Sequence, residues 1–256
     1  MKLQNGWTLL VGLLVGVVML SVVGPAMADP PEAPKVSTFA PAEDLENQVE
    51  FYLDRLQDAV ESEEEYKDSE TRLAKDANTL IVIALALGLH DTDNKYKEAA
   101  PALMKAAQEL VEVKDYASAK KGVAAVKAAA AGEEKMTAKL EWKKAYSLGK
   151  LMKQVPLINT RLKRSLRGRR FKSKAKDTAG YTAVLAVIAQ ASLVDTHEVK
   201  NPSEIEKWYK FCADMRDTAA TVNAAIRAGD EDAAAAAMEK LAKGCDECHE
   251  VFHPEE

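Results

Sequence analysis

The chain has 256 residues, with 35 lysines and arginines against 40 aspartates and glutamates, and a net charge of −5 at pH 7; this length supports one large hydrophobic core or two small ones. Alanine, lysine and glutamate are abundant and no segment alternates apolar with polar residues, which excludes a β-sheet protein and predicts an all-α fold. No Ser-His-Asp set, phosphate loop or paired-carboxylate motif stands out, so we do not expect an enzyme.

The first 28 residues have the pattern of a secretory signal peptide. Lys2 precedes an apolar run over residues 9–23, and Ala26-Met27-Ala28 provides a small-x-small cleavage site. The apolar run approaches the length of a membrane span, so an uncleaved membrane anchor is the alternative. Export predicts a periplasmic or secreted protein and argues against a nucleic-acid partner.

The segment after the signal peptide is predicted to be a lead-in followed by a first helical bundle. Residues 29–41 are proline-rich and are expected to be extended. Residues 42–134 are expected to form four helices, near 42–65, 70–89, 95–113 and 115–131. His90 is expected on the surface at a helix carboxyl end, where its charge would complement the helix dipole.

Residues 135–256 are predicted to form an antiparallel four-helix bundle, because four amphipathic helices are joined by short turns. The first helix spans about 138–166, where Pro156 should kink or break it. The second spans about 177–194. The third opens with a Ser203-x-x-Glu206 capping box, and the last begins at Asp230, whose carboxylate suits a helix amino end. The apolar faces of the first, third and last helices comprise Leu148, Met152, Val155, Asn159, Leu162 and Leu166; Ile205, Trp208, Cys212, Met215, Ala219, Val222 and Ile226; and Ala234, Met238, Leu241, Cys245, Cys248, His249 and Phe252.

Two connections in this half carry charged groups. Arg161 to Lys176 contains nine basic residues and no acidic one. Such a run is typical of a solvated loop, but in an acidic exported protein it could also dock an acidic redox partner and steer its association. His197 and Glu198 are expected in a surface loop.

The last predicted helix carries the sequence Cys245-Asp246-Glu247-Cys248-His249. Positions i, i+3 and i+4 share one helix face, so both thiols and the imidazole can address one group. Cys-x-x-Cys-His is the attachment signature of a c-type haem. We therefore expect one covalent haem c, bound through Cys245 and Cys248, with His249 as the proximal iron ligand.

Two other interpretations of this motif stay open. A redox disulfide would use the cysteines without needing His249. A zinc site would add His253, although the adjacent Cys248 and His249 rarely both reach one tetrahedral metal. The third cysteine, Cys212, falls on the apolar face of the preceding helix and is expected to be a core residue.

The stretch from Trp208 to Phe252 resembles the end of a class II cytochrome c, the family of cytochrome c-prime and its methionine-ligated low-spin relatives. The shared features are the Ala228-Gly229-Asp230 junction and Cys-x-x-Cys-His-x-x-aromatic. Lys150-Leu151-Met152-Lys153 is similar to a segment of the family's first helix, so the resemblance covers residues 138–253. It implies that Met152 lies opposite the haem as a candidate sixth iron ligand. His253 departs from the basic residue usual there, so no distal-pocket arginine is carried over.

The first half of the chain faintly repeats the second. Ala74-Lys75-Asp76 matches Ala175-Lys176-Asp177, and Asp115 matches Asp230. In this register the haem positions hold Ala130, Glu133 and Glu134, so a duplicated first half would lack a covalent haem. The alternative is a chance match, because alanine-rich amphipathic helices can be aligned with many unrelated helices. Class II cytochromes often form dimers, and two fused halves could satisfy the same interface within one chain, so the oligomeric state stays open.

Three functions fit these features. The first is an electron carrier, which needs two protein ligands on the iron and therefore Met152. The second is a high-spin, cytochrome c-prime-like protein that binds nitric oxide at an open iron site screened by side chains such as Leu151. The third is a structural or partner-binding helical protein in which the haem only stabilises the helical bundle.

Overall fold

The computed structural model describes residues 28–254, and over this range it confirms the predicted all-α class. The described helices are α1 Ala42–Asp58, α2 Glu63–Gly88, α3 Ala100–Val111, α4 Tyr116–Ala130, α5 Leu148–Ser165, α6 Arg169–Ser173, α7 Ala175–Ser192, α8 Ile205–Ala228 and α9 Glu231–Phe252, with short 3-10 helices at Val36–Thr38 and Pro202–Glu204. None of these helices is both long and apolar enough to cross a membrane. The predicted signal peptide lies outside the described residues apart from Ala28.

Helix α5 starts later than predicted, and Pro156 does not end it. It begins only at Leu148, because the Ser147 hydroxyl caps it by accepting a hydrogen bond from the backbone N–H of Lys150 (3.3 Å). The Asn78 side chain holds this start on α2 by donating to the carbonyl of Ser147 (3.0 Å) and accepting from its N–H (2.8 Å). The helix also continues through Pro156, since the buried side chains on either side of the proline keep both parts packed.

The ends of α8 and α9 differ in how well they were predicted. The Ser203-x-x-Glu206 capping box does not form; instead the Asn201 side chain accepts from the backbone N–H of Ser203 (3.1 Å), and α8 begins at Ile205. The Asp230 cap is confirmed, because its carboxylate accepts from the N–H of Ala233 (2.9 Å). The sequence around Asp230 was sufficient to predict the cap of α9. Before α8, Asn201 and Ser203 are both capable of capping, and Asn201 takes the role.

The basic segment is not a loop throughout. It includes the last turn of α5 and the single-turn helix α6. Gly168 lies between them with φ at 64°, a left-handed conformation that glycine adopts without strain. Phe171 anchors α6 because its ring is buried, while its basic neighbours stay exposed.

The larger hydrophobic core is shared by both halves of the chain. It takes buried side chains from every helix from α1 to α9, including Phe171 of α6. Helix α1 packs on α2 and also on α7, and α5 packs on α7 and also on α2. The first helix of each half therefore packs on the second helix of the other half, as expected for two related halves that face each other.

Five residues of α1 recur in α5 at one constant offset, a match that the sequence analysis missed. Leu45, Gln48, Val49, Arg55 and Leu56 correspond to Leu151, Gln154, Val155, Arg161 and Leu162. Both sets lie mostly on buried faces. The pair Asp115 and Asp230 also caps corresponding helices, α4 and α9. Duplication of the first half stays a prediction. The matches between α1 and α5 and between the caps of α4 and α9 agree with it.

Candidate haem-attachment site

Helix α9 places the two thiols and the imidazole along one edge. Its buried stripe consists of Ala234, Met238, Leu241 and Phe252. Cys245 and Cys248 lie beside this stripe and are half-buried, while His249 is exposed. The two thiols and the imidazole therefore lie at the border between the packed face of α9 and solvent. A group bound there could contact the apolar face on one side and solvent on the other.

Helix α8 forms the wall behind the motif. Trp208 meets Phe252 edge to face, with ring centroids 5.1 Å apart, and its indole N–H donates to the carbonyl of Ser192 (3.1 Å). One turn along α8, Cys212 is buried, which confirms the predicted core position. Burial, with a smaller contribution from nearby Cys248, raises the pKa of the Cys212 thiol. Cys212 is thus an apolar neighbour of the motif, and its thiol is a poor nucleophile.

The two motif cysteines are free thiols in this structure. Burial raises the pKa of Cys248 to about 11, with a further contribution from Cys245, and burial together with Asp246 raises that of Cys245. Both thiols are therefore protonated at pH 7 in this structure. The redox-disulfide interpretation gains no support from this geometry.

A second, smaller hydrophobic cluster links α5 to the motif. Its buried members are Leu148, Leu193, Val199, Ile205, Trp208, Tyr209, Cys212 and Phe252. Half-buried Met152 and Cys248 both pack against it, so the structure brings the candidate sixth ligand and one attachment thiol to the same cluster. Leu151 lies elsewhere, fully buried in the larger core. The sequence analysis missed Leu193 and Val199; Leu193 lies at the end of a predicted helix, and Val199 lies in a connection with no helical pattern.

The packing of the first and last helices differs between the two halves of the described chain. Helix α9 packs extensively on α8, whereas α5 packs on α7 and α2, and α5 and α9 share no extensive interface. In the first half, the corresponding helices α1 and α4 do pack together. Helix α9 carries the two thiols and the imidazole, α5 carries the Met152 thioether, and Met152 and Cys248 border the same apolar cluster. This donor set fits a c-type haem.

The zinc interpretation finds no support in the described residues. Between residues 28 and 254, no three histidine, cysteine, aspartate or glutamate side chains come together as a set that could hold a metal ion. The rings of His249 and His253 lie 6.4 Å apart between centroids, and both residues are exposed. The structure therefore does not gather the four donors that a structural zinc site needs.

His90 is the one candidate histidine placed wrongly by the sequence analysis. It is only 2% exposed, and its Nε2 lies 3.0 Å from the carbonyl oxygen of Ala40, while its Nδ1 accepts from the N–H of Thr92 (3.1 Å). Both ring nitrogens are thus occupied in holding the amino-terminal lead-in against α2. His197 is exposed, as predicted, and its Nδ1 lies 2.8 Å from buried Asp195.

The structure does not bring the basic segment and the haem motif together. The backbone N–H of Gly168 donates to the carboxylate of Glu231 at the first residue of α9 (2.7 Å). Cys248 lies at the other end of α9, roughly 25 Å away at 1.5 Å per helical residue. Arg161 is set apart from the rest of the segment, because its guanidinium stacks on Phe51 and Tyr181 at 5.1 and 5.7 Å.

Comparison with known proteins adds no family assignment: no family model, no curated protein and no solved structure matches the chain. The resemblance to class II cytochromes c therefore stays a prediction that rests on the motif residues.

Proposed function

We propose that the protein is an exported, periplasmic or secreted, monohaem c-type cytochrome that carries electrons. The observation that carries this proposal is the position of Cys245, Cys248 and His249 on one edge of α9, beside the cluster that Met152 also borders. Attachment, axial ligation and an apolar lining are thereby available at one place.

Each residue has a distinct part in this proposal. Cys245 and Cys248 would hold haem c through thioether bonds, and His249 would bind its iron from the α9 side. Met152 would supply the sixth ligand from α5, since a soft and flexible thioether can reach iron from a half-buried position. When bound, the haem iron supplies reversible one-electron oxidation and reduction. The ring pair Trp208 and Phe252 excludes water from the lining and keeps α9 fixed on α8.

A redox partner is proposed to dock at the carboxyl end of α9. The exposed residues there include Asp246, Glu247 and Glu250, so a partner with a basic surface would be attracted. The sequence analysis gave docking by the basic segment between Arg161 and Lys176 as an alternative to a solvated loop. A distance of roughly 25 Å along α9 separates that segment from the motif and favours the carboxyl end as the electron-transfer surface.

The high-spin gas-binding alternative is less well supported by the position of Leu151. In that alternative, Leu151 screens an open iron site. Leu151 is fully buried among side chains of the larger core and is not part of the smaller cluster that Cys248 borders. Met152, which borders the smaller cluster, is the α5 side chain placed to approach the iron, and this favours the carrier.

Haem attachment is tested by expressing the exported chain with a haem-attachment system and measuring intact mass and the pyridine haemochrome spectrum. We expect the mass of the chain plus one haem and a spectrum typical of two thioether bonds. The double variant Cys245→Ala/Cys248→Ala should carry no haem.

The matched control is Cys212→Ala, which removes the third thiol of the same region and should still carry one haem. A wild-type chain without covalent haem after competent export would refute the proposed function, as would two haems per chain.

A further inference from the structure

The basic segment forms an exposed cationic patch at the end of the bundle that is remote from the haem motif. Its exposed members are Lys163, Arg164, Arg167, Arg169, Arg170, Lys172, Lys174 and Lys176. Among the described residues, Lys174 is the one member of this basic patch that forms an ion pair, with Asp177 at 3.2 Å. The patch therefore carries strong local positive charge that its own surroundings leave largely uncompensated.

The charge of the patch contrasts with the rest of the molecule. The whole chain is net negative at −5 although it contains these cations, so the remaining surface is strongly acidic. Two acidic groups contact the basic segment: Asp177 pairs with Lys174, and Glu231 accepts a hydrogen bond from the backbone N–H of Gly168. A charge distribution of this kind orients a molecule toward an anionic surface, since the acidic remainder is repelled from it.

The shape of the patch favours a membrane over a folded acidic protein. Its apolar residues Leu166 and Phe171 are buried, at 4% and 2% exposure, so it offers no aromatic or aliphatic anchor. Stable protein interfaces depend on such anchors at a packed centre. Anionic headgroups need only charge, and guanidinium groups bind phosphate in a bidentate manner.

We propose that the basic patch holds the protein on an anionic membrane surface through contacts between its arginines and lysines and lipid phosphate groups. Binding is peripheral, with no insertion of apolar side chains. Helix α9 begins at the patch, so its carboxyl end points away from the contact. Only this last consequence, the exposure of the haem end to a partner, rests on the proposed function.

The test is co-sedimentation of the exported protein with vesicles of phosphatidylcholine that contain phosphatidylglycerol. We expect binding at low salt, its loss at high salt, and none to pure phosphatidylcholine vesicles. The variant Arg167→Gln/Arg169→Gln/Arg170→Gln/Lys172→Gln should bind at least about a hundredfold more weakly, because each basic residue contributes about fivefold.

The matched control Lys114→Gln/Lys121→Gln/Lys200→Gln/Lys207→Gln changes the net charge equally at exposed positions elsewhere. Its binding should fall less than about fivefold, and circular dichroism should show unchanged helix content in both variants. Equal losses in the two variants, or no binding to phosphatidylglycerol vesicles, would overturn the proposal and leave an acidic protein as the partner. The haem-free variant Cys245→Ala/Cys248→Ala should bind vesicles normally, which separates this proposal from the proposed function.

Discussion

Two histidines one turn apart at the end of α9 differ in their expected contribution to iron binding. His249 shares the face of Cys245 and Cys248, whereas His253 follows the last helical residue, and both are exposed. We expect His249→Ala to shift the Soret band of any haem that is still attached, since the proximal ligand is gone. His253→Ala is the control and should leave the absorption spectrum unchanged. A spectrum unaltered by His249→Ala would reject the assignment.

Under the proposed function, iron ligation by Met152 distinguishes an electron carrier from a gas-binding protein. If its thioether binds the iron, the ferric protein is low-spin, and Met152→Ala should convert it to a high-spin form that binds nitric oxide readily. Absorption and electron paramagnetic resonance spectra measure this change. Met104→Ala removes a buried methionine from α3 in the first half and should leave the spin state unchanged. A wild-type protein that is already high-spin would show that Met152 only packs, and the gas-binding alternative would then lead.

At the scale of helices, a buried ion pair joins α1 to α2 beside α5. A guanidinium nitrogen of Arg55 lies 2.8 Å from Asp76, whose side chain is 1% exposed. Gln154 of α5 donates to the other carboxylate oxygen of Asp76 (3.1 Å) and to the Tyr52 hydroxyl (3.0 Å). Three helices from both halves therefore meet at one polar group in the core.

Removal of one partner from this ion pair should cost far more than removal of an exposed charge. Arg55→Ala leaves the Asp76 carboxylate buried without its cation, so we expect the free energy of unfolding to fall by about 3 kcal/mol. Lys67→Ala, which breaks the exposed pair with Glu63 (2.9 Å), should cost less than about 0.5 kcal/mol. Urea unfolding of both variants measures the difference. Comparable small losses would show that α1, α2 and α5 do not depend on the buried pair.

At the scale of the whole molecule, α9 is the helix with the fewest packing partners in the second half, because its extensive contacts are with α8 alone. The first-half helices share the larger core with α5 and α7. The molecule should therefore loosen first at its carboxyl end when the haem is absent.

Hydrogen exchange can measure this difference in local stability. In the haem-free variant Cys245→Ala/Cys248→Ala, we expect amides of α9 after Leu241 to exchange at least tenfold faster than in the haem-bound protein. Amides of α2 between Leu80 and Leu87, which lie in the shared core, should be unchanged. Equal acceleration in both helices would mean that the haem stabilises the whole fold and not the carboxyl end.

Much of the site could be predicted because its central motif lies within one helix. The spacing of Cys245, Cys248 and His249 is local, and the Asp230 cap that starts α9 is local too. That Met152 and Cys248 border one cluster could be anticipated only through a family resemblance, since more than ninety residues separate them in the chain. Its role as an iron ligand stays a prediction.

By itself, the sequence determined the helical class, the residues on one edge of α9 and the buried place of Cys212, because helical periodicity and local capping encode them. The tertiary structure alone decided the start of α5, the burial of His90 and the distance between the basic patch and the haem motif. Each of these depends on contacts between residues far apart in the chain: Asn78 with Ser147, Ala40 with His90, and Gly168 with Glu231. No periodic pattern records such contacts, since they form only when the helices pack.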